Sequence, residues 1–600
     1  MTLAVIKEYL QRGNCVVDNA NTGYSNQGLM SYLAQTEIAK YWLEELYPPQ
    51  VAREHREGAI HLHDNGHLTG YCAGFDLFDL LQRGFGGVTD KVQSAPPKHF
   101  STALGQAVNF MYTLAGEIAG AVAFSNFDTL LAPFIRYDHL TYEQVKQHLQ
   151  EFVFNLNVPT RTGFQSPFTN ITLDLKCPRH FAQQAVIVGG QAMNDCYGDF
   201  QWEQDILNRA FAEVMLAGDA SGRVFTFPIP TYNITNDFEW TNPAYTPIWQ
   251  MTGRFGNPYF ANFVGSDMNP EDATSMCCRL RIDRRKLQKR HGGLFASAPL
   301  TGSIGVVTLN LPQAAYLARG NVEKYYERLG ELCEVAAMAL HVRRAIVEKL
   351  TDDGFYPYLR HYLDGVKAGT GGYWSNHFNT IGIVGANEAA LNLYGVDILH
   401  PKGRALAVDT LRFLRSYAEK LQAQDSGLWN IEATPAESAG GRMALLDKRN
   451  YPDIKAAGAE GAWYYTNSTQ TPANSVLDFA ATLDHQSELQ ALYTGGTVVH
   501  VRLGESIEDP QIVRAFIQII TSKWSAPYIS LTPVFSVCPT HGYISGRHDT
   551  CPRCGTATDI YDRIVGYLQP LKTWNPGKRQ EEVDRTDSGR VSLSEVEALL

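Results

Sequence analysis

Four residues near the C-terminal end stand in two close pairs, Cys538-x-x-His541 and Cys551-x-x-Cys554. Thiolates and an imidazole at this spacing form two knuckles that can close on one tetrahedral zinc ion. Four protein ligands leave no open coordination position, so the role would be structural. His548 lies near enough in sequence to rival His541 as the fourth ligand. Just beyond runs Arg563-Ile564-Val565-Gly566-Tyr567. A lone glycine in an apolar run marks a bulge or a close backbone approach. Glycine is also the best host for a backbone radical, because no side chain forces its Cα out of plane and the flanking amide and carbonyl delocalise the electron. Other residues of chemical interest are the adjacent thiols Cys277 and Cys278, and Cys72. Neighbouring cysteines in an extended segment point to opposite faces, so one of the pair at most faces a given site. His61-Leu62-His63-Asp64 alternates polar and apolar residues, as a hydrogen-bonded strand end does.

The rest of the chain must position these groups. A helical pattern from about Leu29 to Leu46 stops at Pro48-Pro49. Residues 97–131, including Ala115-Gly116-Glu117-Ile118-Ala119-Gly120-Ala121, read as helices rich in small residues that permit close packing. Ile171-Thr172-Leu173 is strand-like, and Gly302 to Pro312 reads as a buried strand ending in a proline stop. Asn310 inside that strand needs hydrogen-bond partners. Asn321 to Asp352 is helical, and Ile381 to Glu388 is a glycine-containing strand-to-helix turn. Thr434-Pro435-Ala436-Glu437-Ser438 carries a helix-start signature: a Thr cap, Pro at the first helical position and Glu three residues after the Thr. The exposed N–H groups of such an end suit a phosphate. Residues from Arg579 onward are charged and read as a loose tail.

Composition narrows the class. The 600 residues are 44% hydrophobic and 19% charged, ordinary for a soluble enzyme with a large core. The formal charge of −11, without a basic stripe, argues against a nucleic acid polymer as partner. Neither a signal-peptide layout nor a membrane-length apolar stretch is present, so a cytoplasmic location is expected. Ten cysteines in so long a chain are not a disulfide framework; in a reducing compartment, clustered ones indicate metal or redox chemistry.

Taken together, Arg563 to Leu568 after a Cys/His cluster, followed by Trp574-Asn575-Pro576-Gly577-Lys578, resembles the C-terminus of anaerobic (class III) ribonucleotide reductases. The likeness extends in order through the Asn19–Asn26 loop, His61-x-His63-Asp64, Cys72, Gln165-Ser166-Pro167-Phe168-Thr169-Asn170, Cys278-Arg279, Gly305 to Pro312 and Thr434 to Ser438. It implies an α/β barrel of ten strands in two antiparallel five-stranded halves, with a central finger loop and a glycyl radical loop. The implied organisation is a leader (1–18), a catalytic barrel (19–535), a zinc-ribbon-like element (536–556) and a radical loop with tail (557–600). In that family the cone domain that confers an overall ATP/dATP switch precedes the Asn-rich loop. Too few residues precede Asn19 here to fold one, so no cone is expected.

The resemblance also implies roles. Gly566 stores the radical, Cys278 forms the thiyl, Cys72 supplies reducing hydrogen, and Asn310 helps the thiols handle substrate hydroxyls. Thr434, Ala436, Glu437, Ser438 and His61 bind the ribonucleoside triphosphate. Zinc sits on Cys538, His541, Cys551 and Cys554, where the family usually has four cysteines. The implied partners are a radical activating enzyme carrying S-adenosylmethionine and an iron–sulfur cluster, dNTP or ATP specificity effectors, formate or a thioredoxin-type reductant, and a second copy of the chain. The competing expectation is a glycyl radical acyltransferase of the pyruvate formate-lyase kind, which uses an adjacent cysteine pair directly.

Overall fold

The computed structural model describes residues 2–11, 21–161, 163–266, 268, 273–276, 280–283, 300–425, 427–564 and 566–585, with positions 594 and 598. Five strands, β1 (Cys72–Asp76), β2 (Val122–Ser125), β3 (Thr169–Leu173), β4 (Ile229–Ile234) and β5 (Tyr259–Asn262), run parallel, neighbour to neighbour. A second parallel set contains β6 (Thr301–Asn310), β7 (His377–Val384) and β8 (Trp429–Glu432). β9 (Val499–Leu503) and β10 (Tyr528–Pro533) are parallel to each other. The approach to β9 is tied to β8: Gly495 donates to the Ile431 carbonyl and Ala433 to that of Gly496, each at 2.8 Å. The halves meet antiparallel at both seams, with Cys72 opposite Ser303 and Phe260 opposite Ile529. The Gly495 and Ala433 bonds close the wall into the expected ten-stranded barrel of two antiparallel halves, and an eleventh short strand, Ile60–Leu62, pairs antiparallel with β6.

Period-two alternation sorts the wall into two faces. Phe75, Phe124, Leu173, Val307, Ile381 and Ile431 join one core with the surrounding helices. Burying each such side chain is worth on the order of 1.5–3 kcal/mol. The alternate positions face inward and are small or polar, among them Cys72, Ala123, Thr172, Ser303, Thr380 and Asn430. A hairpin of Ala273–Met276 and Leu280–Asp283 lies with its first strand against β2 and β3. Cys277, Cys278 and Arg279 between its strands lie outside the described residues.

Three local expectations are corrected. The helix ends at Leu114, and Ala115–Ala121 is not helical but a turn into β2. Val122, Ala123 and Phe124 are drawn into the wall by pairing with both β1 and β3. The helix expected at Pro435 starts instead at Ala439 (Ala439–Asn450), with Ser438 in the cap position. The wall holds Ala433 to Gly496, and Thr434 is buried, so tertiary pairing overrides the local cap signature. The charged stretch after Lys578 is no loose tail at its start: the helix Pro576–Asp584 buries Glu581 and Glu582, and Arg585 follows them inside.

The chain leaves β10 directly into a small antiparallel sheet of β11 (Phe535–Cys538), β12 (Gly542–Ser545), β13 (Asp559–Asp562) and β14 (Gln569–Pro570), ordered β12-β11-β13-β14. The cysteine-bearing knuckles connect β11, β12 and β13. The loop between β13 and β14 is Arg563 to Leu568, so one sheet carries both the Cys/His cluster and Gly566. No described helix is long and apolar enough to cross a membrane.

Candidate active site

The Cys/His cluster assembles from residues that the small sheet brings together. Cys538 Sγ lies 3.7 Å from His541 Nδ1 and 3.6 Å from Cys554 Sγ, and Cys551 Sγ is 3.5 Å from the same imidazole nitrogen. All four ligand atoms fall within 4.8 Å of one another. Metal–ligand bonds of about 2.0–2.3 Å around a tetrahedral ion require ligand separations of roughly 3.5–3.8 Å, so this donor set fits zinc. Of the two rival imidazoles, His541 is the one in the cluster. His548 Nε2 is instead 3.0 Å from the Ser545 carbonyl.

The Gly566 loop enters the barrel and is held there by its carbonyls. Tyr259, at the start of β5, donates its hydroxyl to the Gly566 carbonyl. Arg502 on β9 donates to the carbonyls of Arg563 (2.9 Å) and Ile564 (3.3 Å). The Arg563 guanidinium reaches the carbonyls of Gly256 and Asn257 at 2.6 and 2.9 Å and stands 4.5 Å over the Tyr259 ring. Ile564 and Tyr567 pack with Phe227, Ile229, Tyr528 and Trp574. Tyr567 meets Phe168 edge-on at 5.2 Å. It also donates to Glu437 Oε2 at 3.2 Å, while Asn575 donates to the Glu437 carbonyl at 2.7 Å. Thus the Gly566 loop and the Thr434–Ser438 loop are in direct contact.

Beneath the loop lies a charge network. Arg585 pairs with Asp562 (3.4 Å), Glu581 (2.9 Å) and Glu582 (3.1 Å), and Lys578 pairs with Glu581 at 2.7 Å. Arg502 stands 3.9 Å from Asp562. Burial, with help from Arg585, pulls the Arg502 guanidinium down to about 9. Arg547, from a more exposed position, also reaches Glu582 at 3.3 Å, so among the described residues each of these buried carboxylates has a cationic partner, as buried charge requires.

Cys72 occupies the start of β1, 3% exposed, and its sulfur accepts the Ala121 N–H at 3.3 Å. A polar row leads away from it around the inner wall. Ser303 is opposite Cys72, Ser303 Oγ is 2.8 Å from Thr380 Oγ1, and Thr380 neighbours Asn430 in the β7–β8 register. Asn430 is fully buried, and neither of its amide atoms has a hydrogen-bond partner among the described residues. A buried polar group left so costs about 1–3 kcal/mol, which marks the row as built to receive polar atoms.

A second polar group sits further along the same strands. His63 Nε2 is 2.8 Å from Thr308 Oγ1. A side chain at Gly382 would run into the hydroxyls of Thr308 and Thr434, so glycine there lets both approach β7. His61 lies on the short strand Ile60–Leu62, which pairs antiparallel with β6 and sets it opposite Thr308, and it meets His63 edge-on at 4.6 Å. Its Nδ1 and the Thr434 hydroxyl have no hydrogen-bond partner among the described residues. Burial first, then His63 and Arg442, hold His61 well below the usual imidazole range, so it is neutral. Arg442, in the first turn of Ala439–Asn450, donates to the His55 carbonyl at 2.6 Å. Ala436 is fully buried beside Ala439 and Tyr465.

Asn310 is engaged by the scaffold. Its Oδ1 caps the following helix by accepting from Gln313 N–H at 3.0 Å. Its amide donates to the Gly58 carbonyl and to Asp447 Oδ2, both at 2.8 Å. Asp447 also receives the Tyr465 hydroxyl (2.8 Å) and the Gln313 amide (2.7 Å). Burial nevertheless lifts the Asp447 carboxyl to about 6.

The family of anaerobic ribonucleoside-triphosphate reductases matches residues 18–587. The chain belongs to that family. It is 24% identical over 604 residues to the anaerobic ribonucleoside-triphosphate reductase of Haemophilus influenzae, covering 91% of this chain and 80% of the relative. A solved anaerobic ribonucleotide reductase aligns with a TM-score of 0.76 and 21% identity, covering 98% of this chain and 92% of that one. The Thermotoga maritima anaerobic ribonucleotide reductase, solved in complex with dATP and CTP, aligns with a TM-score of 0.73 and 21% identity, covering 95% and 98%. The chain is therefore a ribonucleotide-reducing oxidoreductase of a family that uses a glycyl radical, and the acyltransferase alternative is less supported.

For this reductase the sequence missed the groups that hold the Gly566 loop, Arg502 and Tyr259, and the buried Asn430 of the polar row beside Cys72. Arg502 lies in Val499-His500-Val501-Arg502-Leu503, and Asn430 in Trp429-Asn430-Ile431-Glu432. In each, polar residues alternate with apolar ones, a signal that marks an inward face once the strand is known. Nothing local marked Tyr259.

Proposed function

We propose that this reductase converts ribonucleoside triphosphates to 2′-deoxyribonucleoside triphosphates, supplying DNA precursors, by a hydrogen-atom relay from Gly566 through Cys278 to the ribose. The observation that carries it is the contact of the Gly566 loop, inside the barrel, with the Thr434–Ser438 loop through Tyr567 and Glu437. Activation by a separate radical S-adenosylmethionine enzyme with an iron–sulfur cluster removes one Gly566 hydrogen atom. Gly566 then takes the hydrogen atom of the Cys278 thiol, and the thiyl so formed takes the ribose 3′ hydrogen. The 2′ hydroxyl leaves as water. The Cys72 hydrogen atom leaves its S–H bond and forms a C–H bond at C2′. Formate or a thioredoxin-type dithiol supplies the second electron and proton and returns hydrogen to Cys72, and the 3′ hydrogen returns from Cys278. Two electrons and two protons are consumed per nucleotide, restored by formate or a thioredoxin-type dithiol. Keeping water and oxygen from these radicals is the reason for burying them in a barrel.

Thr434, Ala436, Glu437 and Ser438 hold the triphosphate, with N–H groups at the start of Ala439–Asn450 and neutral His61 nearby. Asn310 acts on this reading through the frame it shares with Asp447. Zinc on Cys538, His541, Cys551 and Cys554 fastens the sheet that bears the radical loop. The enzyme works as a cytoplasmic homodimer whose substrate choice responds to dNTP or ATP effectors.

Anaerobic activation followed by electron paramagnetic resonance and nucleotide turnover tests this reading. The expected signal is a doublet from the one remaining Gly566 hydrogen, absent in Gly566→Ala. Cys278→Ser should form the signal and lose turnover, because an O–H bond is too strong for a glycyl radical to break. Turnover retained in Cys278→Ser and lost in Cys277→Ser would transfer the role to the other thiol.

A further inference from the structure

The turn Ala115–Ala121 is stitched, residue by residue, to the segment carrying Cys72. Ala119 N–H donates to the Gly70 carbonyl (3.1 Å), Gly120 to that of Tyr71 (2.6 Å), and Ala121 to the Cys72 sulfur (3.3 Å). Ala73 returns a bond to the Ala121 carbonyl at 3.1 Å. At Gly120 a side chain cannot be accommodated: a Cβ there would stand 2.7 Å from Cys72 Sγ and 2.8 Å from the Tyr71 carbonyl oxygen. The sulfur therefore rests directly on glycine backbone.

The outer side of the same turn is gripped by one side chain. Arg161 donates from Nε to the Ala115 carbonyl (2.9 Å) and from a terminal nitrogen to those of Ile118 and Ala119 (3.0 Å each). Burial lowers its pKa, partly offset by Asp64 and Cys72. The rigid guanidinium fork can span three carbonyls, whereas a lysine ammonium cannot hold the same geometry.

We propose that Gly120 and Arg161 form a cradle that fixes the Cys72 sulfur, with Arg161 a positioning residue for the reducing thiol. This rests on the role of Cys72 given under the proposed function. Hydrogen transfer is steep in distance, so the cradle governs whether the ribose radical is reduced or lost. A displaced sulfur leaves the earlier steps, radical storage and 3′ abstraction, intact.

The test compares Gly120→Ala, Arg161→Lys and Arg161→Met with Gly330→Ala, whose added Cβ would meet only Phe413 Cζ at 3.9 Å. The three cradle variants should show a wild-type glycyl signal after activation and unchanged substrate affinity. Their kcat should fall by about 10²-fold, the scale of an ångström-level misplacement. On adding nucleotide, the signal should be consumed without a matching yield of deoxynucleotide, and Gly330→Ala should behave as wild type. Wild-type kcat in Gly120→Ala overturns the cradle. So does joint loss of radical formation and substrate binding, which would mean a role only in building the wall. Recovery of full activity by Arg161→Lys shows that charge, not the three-carbonyl grip, is what matters, and overturns the positioning role. Cys72→Ser tests the underlying reading separately: wild-type turnover there removes the role of Cys72, and the cradle's function with it.

Discussion

Tyr567 donates its hydroxyl to Glu437 across 3.2 Å, so the residue next to Gly566 is bonded to the loop assigned to the triphosphate. Tyr567→Phe keeps the ring against Phe168 and deletes only this bond. A net loss of about 1 kcal/mol is expected, making excursions of the loop about fivefold more frequent. Hydrogen exchange of residues 563–568 in the non-activated enzyme measures it. Unchanged exchange would show that the bond does not restrain the loop.

Arg502 holds two loop carbonyls and neighbours Asp562. Arg502→Met leaves those carbonyls without their donor and the buried network one cation short. Removing one partner from such a network costs about 3–5 kcal/mol. A lower unfolding temperature and fewer spins per chain after activation are expected, with Arg502→Lys intermediate. A Met variant matching wild type in both measurements would assign the clamp no role.

The zinc site yields a stoichiometry. Elemental analysis should find about one zinc per chain, lost in Cys551→Ala and His541→Ala and kept in His548→Ala. Because β11 and β13 share a sheet, chelation should also raise hydrogen exchange in the Gly566 loop. Full zinc in His541→Ala combined with loss in His548→Ala would reverse the ligand assignment.

Asp447 sets a pH dependence. Burial raises its carboxyl from the usual 3.8 to about 6, so between these values the folded state holds more protons than the unfolded state. Stability from this group is therefore fully present below pH 3.8, declines as pH rises through the window, and levels off above 6. The slope approaches roughly 1.4 kcal/mol per pH unit at most. Denaturant unfolding of wild type and Asp447→Asn across this range isolates the group. Parallel curves would show that Asp447 does not titrate there.

Short-range chemistry was legible in the chain itself. The knuckle spacing of Cys538, His541, Cys551 and Cys554, the lone Gly566, and the apolar run of β6 each depend on neighbours a few residues apart. Resemblance then supplied the barrel and the placement of Cys72 on its first strand. The order of local motifs could not decide contacts that span the molecule. Tyr259 and Gly566 are 307 residues apart, and the Arg161 grip on the turn before β2 crosses 42 to 46. Where local and global preferences conflicted, the wall prevailed. Thr434 and Pro435 spell a helix start, yet pairing at Ala433 and burial of Thr434 delay the helix to Ala439. Between His541 and His548, spacing allowed both, and the small sheet brought only His541 to the cysteines. The sequence determined which groups could do chemistry; barrel closure decided which of them meet, because only the packed wall brings distant strands within bonding distance.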